Sequence, residues 1–296
     1  AATGEPPDTV LPYVIQEVAG LRVGIVGLAS RLTPQTTMPT HVEGLRFEPY
    51  AKSLQAIVPQ VKAEGVDVIL VIGHICNPEM RNLASDAAEL GVAMIGGGHC
   101  HQRMSDVVNG VALVAAGSNM QAYGRVTMDV DPATDTVANV EVTVTSNPSG
   151  PSDPDVAAVV DTWQAKLDDA LDHVIGYTAT GIARGSNAMH NLVMDAWLAA
   201  YPADIAMSNP GGFRQEIAPG EITLADIVGV LPFDNYLIDV ELTGEEVIAG
   251  YQHGGRRPAV GGIAYRSGRY FLLKADGEVP LDPEATYSVL VNDFMY

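Results

Sequence analysis

The sequence predicts an α/β protein with two domains and a helix between them. Three observations favour this fold class. Apolar runs of strand length alternate with segments of helical periodicity through the first half of the chain. Residues 146–154 are then dense in proline, serine and glycine, which is the composition of a domain boundary. A helical pattern follows this boundary, and a chain of 296 residues agrees with two domains of about 150 residues each.

The first half predicts a layered α/β domain. Apolar runs and alternating patterns indicate strands at residues 11–17, 21–28, 66–72, 92–95, 124–130 and 137–144. Helical spacing of apolar residues predicts helices at residues 50–64 and 82–90. A loop is predicted at residues 33–50, between the strand at 21–28 and the first of these helices. Asn109-Gly110 predicts the two-residue turn of a hairpin. The glycines of residues 21–28 lack the spacing of a dinucleotide-binding loop.

The second half predicts a bridging helix followed by an α+β domain. The helix covers residues 155–173 and has apolar residues on one side, from Val156 to Leu171. Beyond it the patterns predict helices at 187–201 and 223–230, strands at 205–208 and 237–242, a helix after Thr243, and hairpins over 261–291. The predicted limits are therefore 1–147 for the first domain, 148–175 for the linker and helix, and 176–296 for the second domain.

Composition excludes some classes of function. Lys and Arg number 16 against 36 Asp and Glu, so the net charge is −20, which argues against a surface for a nucleic-acid polymer. A small anionic substrate is not excluded, because a metal ion and a few arginines can hold one. No run of about twenty apolar residues predicts a transmembrane helix. The first ten residues lack the charged and apolar regions of a signal peptide.

Three histidines follow predicted strands in the first domain. The sequence IGGGHCHQ places His99 and His101 directly after three glycines, and VILVIGH ends an apolar strand in His74. Because sites in open α/β sheets lie at the carboxyl ends of the strands, these imidazoles are candidate ligands of zinc, manganese or iron. Cys76 and Cys100 stand beside them and could form a disulfide, although we expect two small buried residues instead.

A second candidate site lies in the second domain. The sequence NPGGFR follows a predicted strand, and Gly211 and Gly212 expose backbone amides beside the guanidinium of Arg214. These groups suit a carboxylate, a phosphate or the edge of a base, but a plain tight turn with a surface arginine also fits the pattern. Phe233 in the sequence LPFDN could stack on a planar ligand or pack into the core.

Six of these segments carry a resemblance to a known family. In order they are LPYVIQEVAGLRVGIVGL, VDVILVIGH, GGGHCHQ, NPGGFR, GEITLADIVGVLPFDN and YSVLVNDF, and they span almost the whole chain. The chain resembles the bifunctional metallophosphoesterase/5′-nucleotidase family, which includes UDP-sugar hydrolases, 2′,3′-cyclic phosphodiesterases and ecto-5′-nucleotidases. The resemblance implies the C-terminal half of a layered metallophosphoesterase domain, a helical linker and an α+β 5′-nucleotidase C-terminal domain.

The resemblance also implies roles for individual residues. His74, His99 and His101 match ligands of two catalytic divalent metal ions, such as zinc or manganese. Asn209 and Arg214 match residues that bind the nucleotide, and Phe233 and Phe294 match two aromatic residues that enclose the base. Arg184 lies near a further substrate-contacting position, although the match there is shifted by about a residue. His190 has no assigned role.

The implied activity is the hydrolysis of nucleotide phosphoesters by water activated between two metal ions. The family's upstream Asp-x-His and Asn-His motifs are absent, and the chain stops before a Gly-Gly-Asp-Gly segment, so we expect these residues to belong to a longer protein. We therefore expect residues 1–296 alone to bind metal weakly and not to turn over. The resemblance places the protein in the periplasm or at the cell surface.

Two other classes of function remain open from the sequence. The first is a catalytically inactive surface or filament protein that keeps the nucleotidase fold and assembles with itself. The second is a metal-storage or metal-sensing module built on the histidine cluster. The upstream motifs would distinguish the enzyme from the structural protein.

Overall fold

The computed structural model describes residues 7, 9–148, 150–252 and 257–295. The chain divides into two compact units, Ala1–Pro151 and Ser152–Tyr296. Each unit has its own hydrophobic core. The predicted mixed α/β fold is confirmed.

A six-stranded sheet forms the centre of the first unit. Its strands are β1 (Tyr13–Val18), β2 (Leu21–Leu28), β3 (Val68–Gly73), β4 (Val92–Gly96), β5 (Arg103–Val108) and β6 (Val111–Ala116), in the spatial order β1-β2-β3-β4-β6-β5. Strands β2, β3, β4 and β6 run parallel to one another, and β1 and β5 pair antiparallel at the two edges. The carboxyl ends of β3 and β4 therefore lie side by side at one edge of the sheet.

The helices of the first unit pack on this sheet. They are α1 (Thr33–Thr36), α2 (Tyr50–Ala63) and α3 (Asn77–Glu89), with a short 3-10 helix at Pro39–Val42. Leu54, Val58 and Val61 of α2 recur at helical spacing and are fully buried in the core. The prediction of a plain loop at 33–50 is wrong, because α1 and the 3-10 helix lie there.

The start of α3 is also corrected. The helix begins at Asn77 rather than at residue 82, because Pro78 occupies its first turn and the Glu79 carboxylate accepts a hydrogen bond from the Cys76 backbone N–H at 3.0 Å. The first turn carries few apolar residues, so hydrophobic periodicity alone does not show it. This early start brings the helix close to His74.

Two hairpins complete the first unit. Strands β5 and β6 are joined by Asn109 and Gly110, whose φ values of 53° and 83° are those of a type I′ turn, as predicted. Strands β7 (Ala122–Asp131) and β8 (Thr136–Ser146) form a separate two-stranded sheet.

The second unit begins with α4 (Pro154–Leu171). The Asp153 carboxylate caps this helix by accepting hydrogen bonds from the backbone N–H groups of Asp155 and Val156. No residue of α4 is buried, and its apolar side chains, from Val156 to Leu167, are exposed.

The rest of the second unit combines three sheets with three helices. Its helices are α5 (Asn187–Ala200), α6 (Leu224–Val230) and α7 (Gly244–Gln252). Its strands are β9 (Val174–Thr178), β10 (Ile205–Ser208), β11 (Gly220–Thr223), β12 (Leu237–Thr243), β13 (Ala259–Gly261), β14 (Ile263–Arg266), β15 (Arg269–Lys274), β16 (Gly277–Pro280) and β17 (Thr286–Asn292). The main sheet has the order β12-β17-β10-β13, and β10 is fully buried within it. The predicted cap of α6 is confirmed, because Thr223 and Asp226 form a reciprocal capping box.

Within the described part of the chain, none of the helices has the length and apolar character needed to cross a membrane.

Candidate functional site

His74 and His99 come together at the carboxyl edge of the six-stranded sheet. His74 directly follows β3, and its backbone N–H donates to the Leu28 carbonyl at 3.0 Å. His99 follows β4 after two glycines. Because β3 and β4 are parallel neighbours, the two imidazoles meet, with His99 Nδ1 at 3.0 Å from His74 Nε2 and ring centroids 4.7 Å apart.

The loop after β4 has a backbone that few residues can adopt. A Cβ on Gly97 would collide with the sulfur of the buried Met80 and approach the Ile75 carbonyl oxygen to 3.0 Å. His99 and His101 have φ values of 64° and 56°, in the left-handed region that residues other than glycine seldom occupy. Non-glycine residues in this region cost about 1–3 kcal/mol each and cluster at functional sites.

Cys76 and Cys100 form a disulfide with a Cα–Cα distance of 5.2 Å. The expectation of two free, small buried residues is therefore wrong. Cys76 is buried at the start of α3, but Cys100 is exposed and lies between His99 and His101. Both cysteines follow the ends of neighbouring parallel strands, and this proximity in the fold cannot be read from their separation of 24 residues.

The two imidazole nitrogens lie within hydrogen-bond distance of each other, and the same separation fits two adjacent ligand positions of one metal ion. Two nitrogens that each lie about 2.0–2.1 Å from one ion are themselves roughly 3.0–3.5 Å apart, which agrees with the observed separation. His101 is exposed in the same loop, but its side chain makes no hydrogen bond to His74 or His99. Across the residues that the structure describes, no group of three or more His, Cys, Asp or Glu side chains is placed to hold a metal ion.

The turn after β10 builds the second site. Asn209 follows the buried strand, and Pro210–Gly212 forms a 3-10 turn. The backbone N–H of Arg214 donates to the Val230 carbonyl at 2.8 Å, and its side-chain nitrogen donates to the Gly211 carbonyl at 3.2 Å. These bonds place its guanidinium carbon 5.6 Å from the centre of the Phe233 ring, a cation–π distance.

A cavity of about 230 Å³ opens beside this turn. It is lined by Trp197, Gly212, Leu231, Phe233, Asn235, Leu237 and Asn292. Phe233 is 52% exposed, so its ring is available to a ligand and is not a core residue. An apolar lining with a few polar groups is usual for small-molecule sites, whose volumes are typically about 300–1,000 Å³, so this cavity would hold only part of a nucleotide.

Asn292 is a polar residue of this cavity that sequence reasoning missed. It is only 3% exposed, and its Nδ2 donates to Asn209 Oδ1 at 2.9 Å. Its own Oδ1 is buried without a hydrogen-bond partner in the protein. In the sequence, Asn292 is recognisable only as a single amide side chain at the end of the apolar run that forms β17. Asn235 was missed as well, although it stands in the LPFDN segment with Phe233.

Of the residues predicted for this site, only Gly212 and Phe233 line the cavity; Asn209, Gly211 and Arg214 lie in the turn beside it, and Arg184 and Phe294 also lie outside the lining. The Nε–H of Arg184 donates a hydrogen bond to the Phe213 carbonyl at 2.8 Å. Arg184 therefore stabilises the residue that directly follows the Pro210–Gly212 turn. Phe294 follows β17 and is about half exposed. His190 packs against Phe213 with ring centroids 4.9 Å apart, and burial lowers the pKa of its imidazole below the ordinary 6.5.

The sequence and the fold are similar to those of known proteins. Residues 171–296 match the family model of the 5′-nucleotidase C-terminal domain. Endonuclease YhcR of Bacillus subtilis (strain 168) is 26% identical over 99% of this chain and 26% of its own length. Cell wall protein Lmo0130 of Listeria monocytogenes is 24% identical over 99% of this chain and 45% of its own length. The crystal structure of the 5′-nucleotidase precursor from Thermus thermophilus has a TM-score of 0.76 and 26% identity, covering 100% of this chain and 67% of that one.

The fold is therefore that of the 5′-nucleotidases, and the second unit contains a 5′-nucleotidase C-terminal domain. The matches agree with the resemblance that the motifs indicate: the chain is similar to 5′-nucleotidases in fold, and residues 171–296 match their C-terminal domain. The chain spans 26% of the length of endonuclease YhcR and 45% of the length of cell wall protein Lmo0130.

Proposed function

We propose that this chain contributes metal-binding and nucleotide-binding residues to a hydrolase of nucleotide phosphoesters. The observation that carries the proposal is the imidazole pair, with His74 Nε2 and His99 Nδ1 3.0 Å apart at the carboxyl edge of parallel strands. Proteins similar to this chain are named as a 5′-nucleotidase and an endonuclease, and both names describe the hydrolysis of phosphoesters.

His74 and His99 would hold a divalent ion such as zinc or manganese, and His101 is a third candidate because it lies in the same exposed loop. Two bound ions would supply a polarised phosphoryl oxygen and an activated water. The protein's own contribution is to present neutral imidazole nitrogens, which bind the metal without cancelling its charge. Since the described residues place only two such ligands together, we expect residues 1–296 alone to have little or no turnover.

The cavity of the second unit would bind the nucleotide. A planar base can stack on the exposed ring of Phe233, and Arg214 beside it supplies donors for an anionic or carbonyl oxygen. Asn209, oriented by Asn292, offers a further polar contact, and Gly211 is exposed in the same turn. The sequence-based prediction of an exposed Gly212 amide is wrong, because Gly212 is buried and its N–H donates to the Asn209 carbonyl at 3.0 Å. We propose Phe294 as the second aromatic residue and Arg184 as a support of the turn. The net charge of −20 disfavours a nucleic-acid polymer as the substrate.

The disulfide supports a location outside the cytoplasm. Structural disulfides persist in oxidising compartments, such as the periplasm and the cell surface. The similarity to a protein named as a cell wall protein agrees with this location.

A catalytically inactive surface protein is the second candidate. It is favoured by the finding that, among the described residues, no group of three or more metal-type ligands is assembled. Such a protein would keep the fold without binding metal at the imidazole pair. Metal binding therefore distinguishes the two candidates.

Calorimetric titration with Mn²⁺ and with AMP tests the proposal. We expect the wild-type chain to bind both ligands, His99→Ala to lose Mn²⁺ binding while it still binds AMP, and Phe233→Ala to do the reverse. His41→Ala is the matched control, because His41 is exposed in the 3-10 helix and should leave both affinities unchanged. Absence of Mn²⁺ binding would contradict the metal site, and absence of AMP binding would contradict the nucleotide site.

A further inference from the structure

We infer that the Cys76–Cys100 disulfide is a positioning element that holds His99 in place to share a metal ion with His74. The inference rests on the metal site proposed above and concerns residues that do not themselves bind the metal. It assigns a functional role to the two cysteines beyond that of a general crosslink.

The placement of the crosslink carries the inference. Cys76 follows His74 after a single residue, and Cys100 lies between His99 and His101. The bond therefore ties the segment that presents one imidazole directly to the loop that presents the other. The Cα atoms of Cys76 and Cys100 are 5.2 Å apart, and the bond keeps them near this distance, so the loop cannot move far from the start of α3.

One end of the crosslink is fixed in the fold. Cys76 is buried, and its backbone N–H donates to the Glu79 carboxylate at 3.0 Å. Helix α3, which begins at the next residue, is anchored in the core by Met80 and Leu83. Cys100 is thereby attached to a helix that is packed in the core of this unit.

The loop has few other restraints. The backbone N–H of Gly97 donates to the Val114 carbonyl at 2.9 Å, and that of Gly98 donates to the Ile75 carbonyl at 3.0 Å. Beyond Gly98, the Cys100 N–H donates only within the loop, to the Gly98 carbonyl at 2.7 Å. In the described structure no backbone–backbone hydrogen bond joins residues 99–102 to another element. The disulfide is the covalent attachment of this loop to α3; the other contacts are the His99–His74 ring contact and a hydrogen bond from Asn77 of α3 to the Arg103 carbonyl just after the loop, at 3.2 Å.

The backbone of the loop needs such an attachment. His99 and His101 both have positive φ values, at 64° and 56°, and residues other than glycine readily leave this region when nothing holds them there. Without the crosslink, more extended conformations become accessible to the loop, and these move His99 Nδ1 away from His74 Nε2. Hydrogen-bonded groups that orient metal-ligating histidines change metal affinity by about 10- to 100-fold, and we expect an effect of the same order from a crosslink that positions His99.

The test compares the wild-type chain with the double variant Cys76→Ala/Cys100→Ala by titration with Mn²⁺. Alanine is used instead of chemical reduction, because free thiols would themselves be metal ligands. Val61→Ala is the matched control, since it removes a fully buried side chain of the same core without touching the loop. We expect Mn²⁺ affinity to fall about 10- to 100-fold in the double variant and to stay unchanged in Val61→Ala.

Hydrogen–deuterium exchange of the metal-free chain gives a second readout. We expect the amides of residues 97–102 to exchange faster in the double variant than in the wild type, and to exchange at the wild-type rate in Val61→Ala. Equal Mn²⁺ affinity in the wild type and the double variant would overturn the inference. If the wild-type chain binds no Mn²⁺, the proposed metal site fails; unchanged exchange in residues 97–102 would separately overturn the positioning role.

Discussion

Single side chains at the ends of strands form both candidate sites of this molecule. His74 and His99 end neighbouring parallel strands, and Asn209 and Asn292 follow or end neighbouring strands of the second unit. In both places a polar side chain stands where an apolar run stops. The pairing of the strands, rather than the separation of the residues along the chain, brings the polar groups together.

Replacing Asn292 with alanine tests the amide pair at the cavity. The Asn209 oxygen would lose its donor at 2.9 Å and could turn away from the ligand. We expect AMP affinity to fall roughly tenfold, about 1.4 kcal/mol, as measured by calorimetry. Asn191→Ala on the exposed side of α5 is the matched control and should bind AMP like the wild type. Equal affinity in all three proteins would show that Asn292 does not orient Asn209.

His190 predicts a dependence of stability on pH. Burial lowers the pKa of its imidazole below 6.5, and its Nε2 is buried without a hydrogen-bond partner. The folded chain therefore binds a proton at His190 less readily than the unfolded chain, whose imidazole titrates near the ordinary 6.5. Stability should fall as the pH is lowered from about 7 to about 5, in urea unfolding of the second unit.

The variant His190→Met removes this proton uptake. We expect its urea midpoint to depend less on pH over the same range, before the carboxylates begin to titrate. An unchanged slope between wild type and variant would contradict the assignment of a buried neutral imidazole.

At the scale of the elements, the disulfide predicts a large contribution to stability. It closes a loop across 24 residues, and the chain-entropy relation assigns such a loop roughly 3–4 kcal/mol. We expect the free energy of unfolding of the first unit to fall by about this amount in Cys76→Ala/Cys100→Ala, measured by urea denaturation. A change below about 1 kcal/mol would show that the unfolded chain gains little freedom when the crosslink is removed.

The sequence best predicts the strands and helices that are defined by a local pattern of apolar residues. The strands β2 (Leu21–Leu28) and β10 (Ile205–Ser208) have the predicted bounds, because continuous apolar runs define both ends. The first turn of α3 was missed because its polar residues are held by Pro78 and a capping box instead of by an apolar stripe.

The candidate sites were predictable only in part. The strand-end position of His74 and the glycines before His99 are local signals, and the structure brings these two side chains together. The Cys76–Cys100 bond and the Asn292–Asn209 contact join residues far apart in the chain, so they depend on strand order, which one sequence does not show.

At the scale of the whole molecule, the two units have separate cores. Met189, Met194 and Phe213 are fully buried in one core of the second unit, and Ile205 and Val289 are fully buried in another. These residues all lie within Ser152–Tyr296, so this unit has the buried surface of an independently folding domain.

Residues 152–296 produced alone should therefore fold cooperatively. We expect the fragment to bind AMP with the affinity of the full chain, because every residue that lines the cavity lies within it. Circular dichroism and calorimetry check this. A fragment that folds but does not bind AMP would show that the nucleotide site needs residues outside the second unit.

The proposed chemistry depends on the claim that His74 and His99 together bind one metal ion. The most direct measurement is an anomalous difference map from crystals of the chain grown with Zn²⁺, recorded at the zinc absorption edge. The predicted result is a peak about 2.0–2.1 Å from both His74 Nε2 and His99 Nδ1. Zinc bound only at other residues, or no zinc beside an ordered histidine pair, would contradict the account.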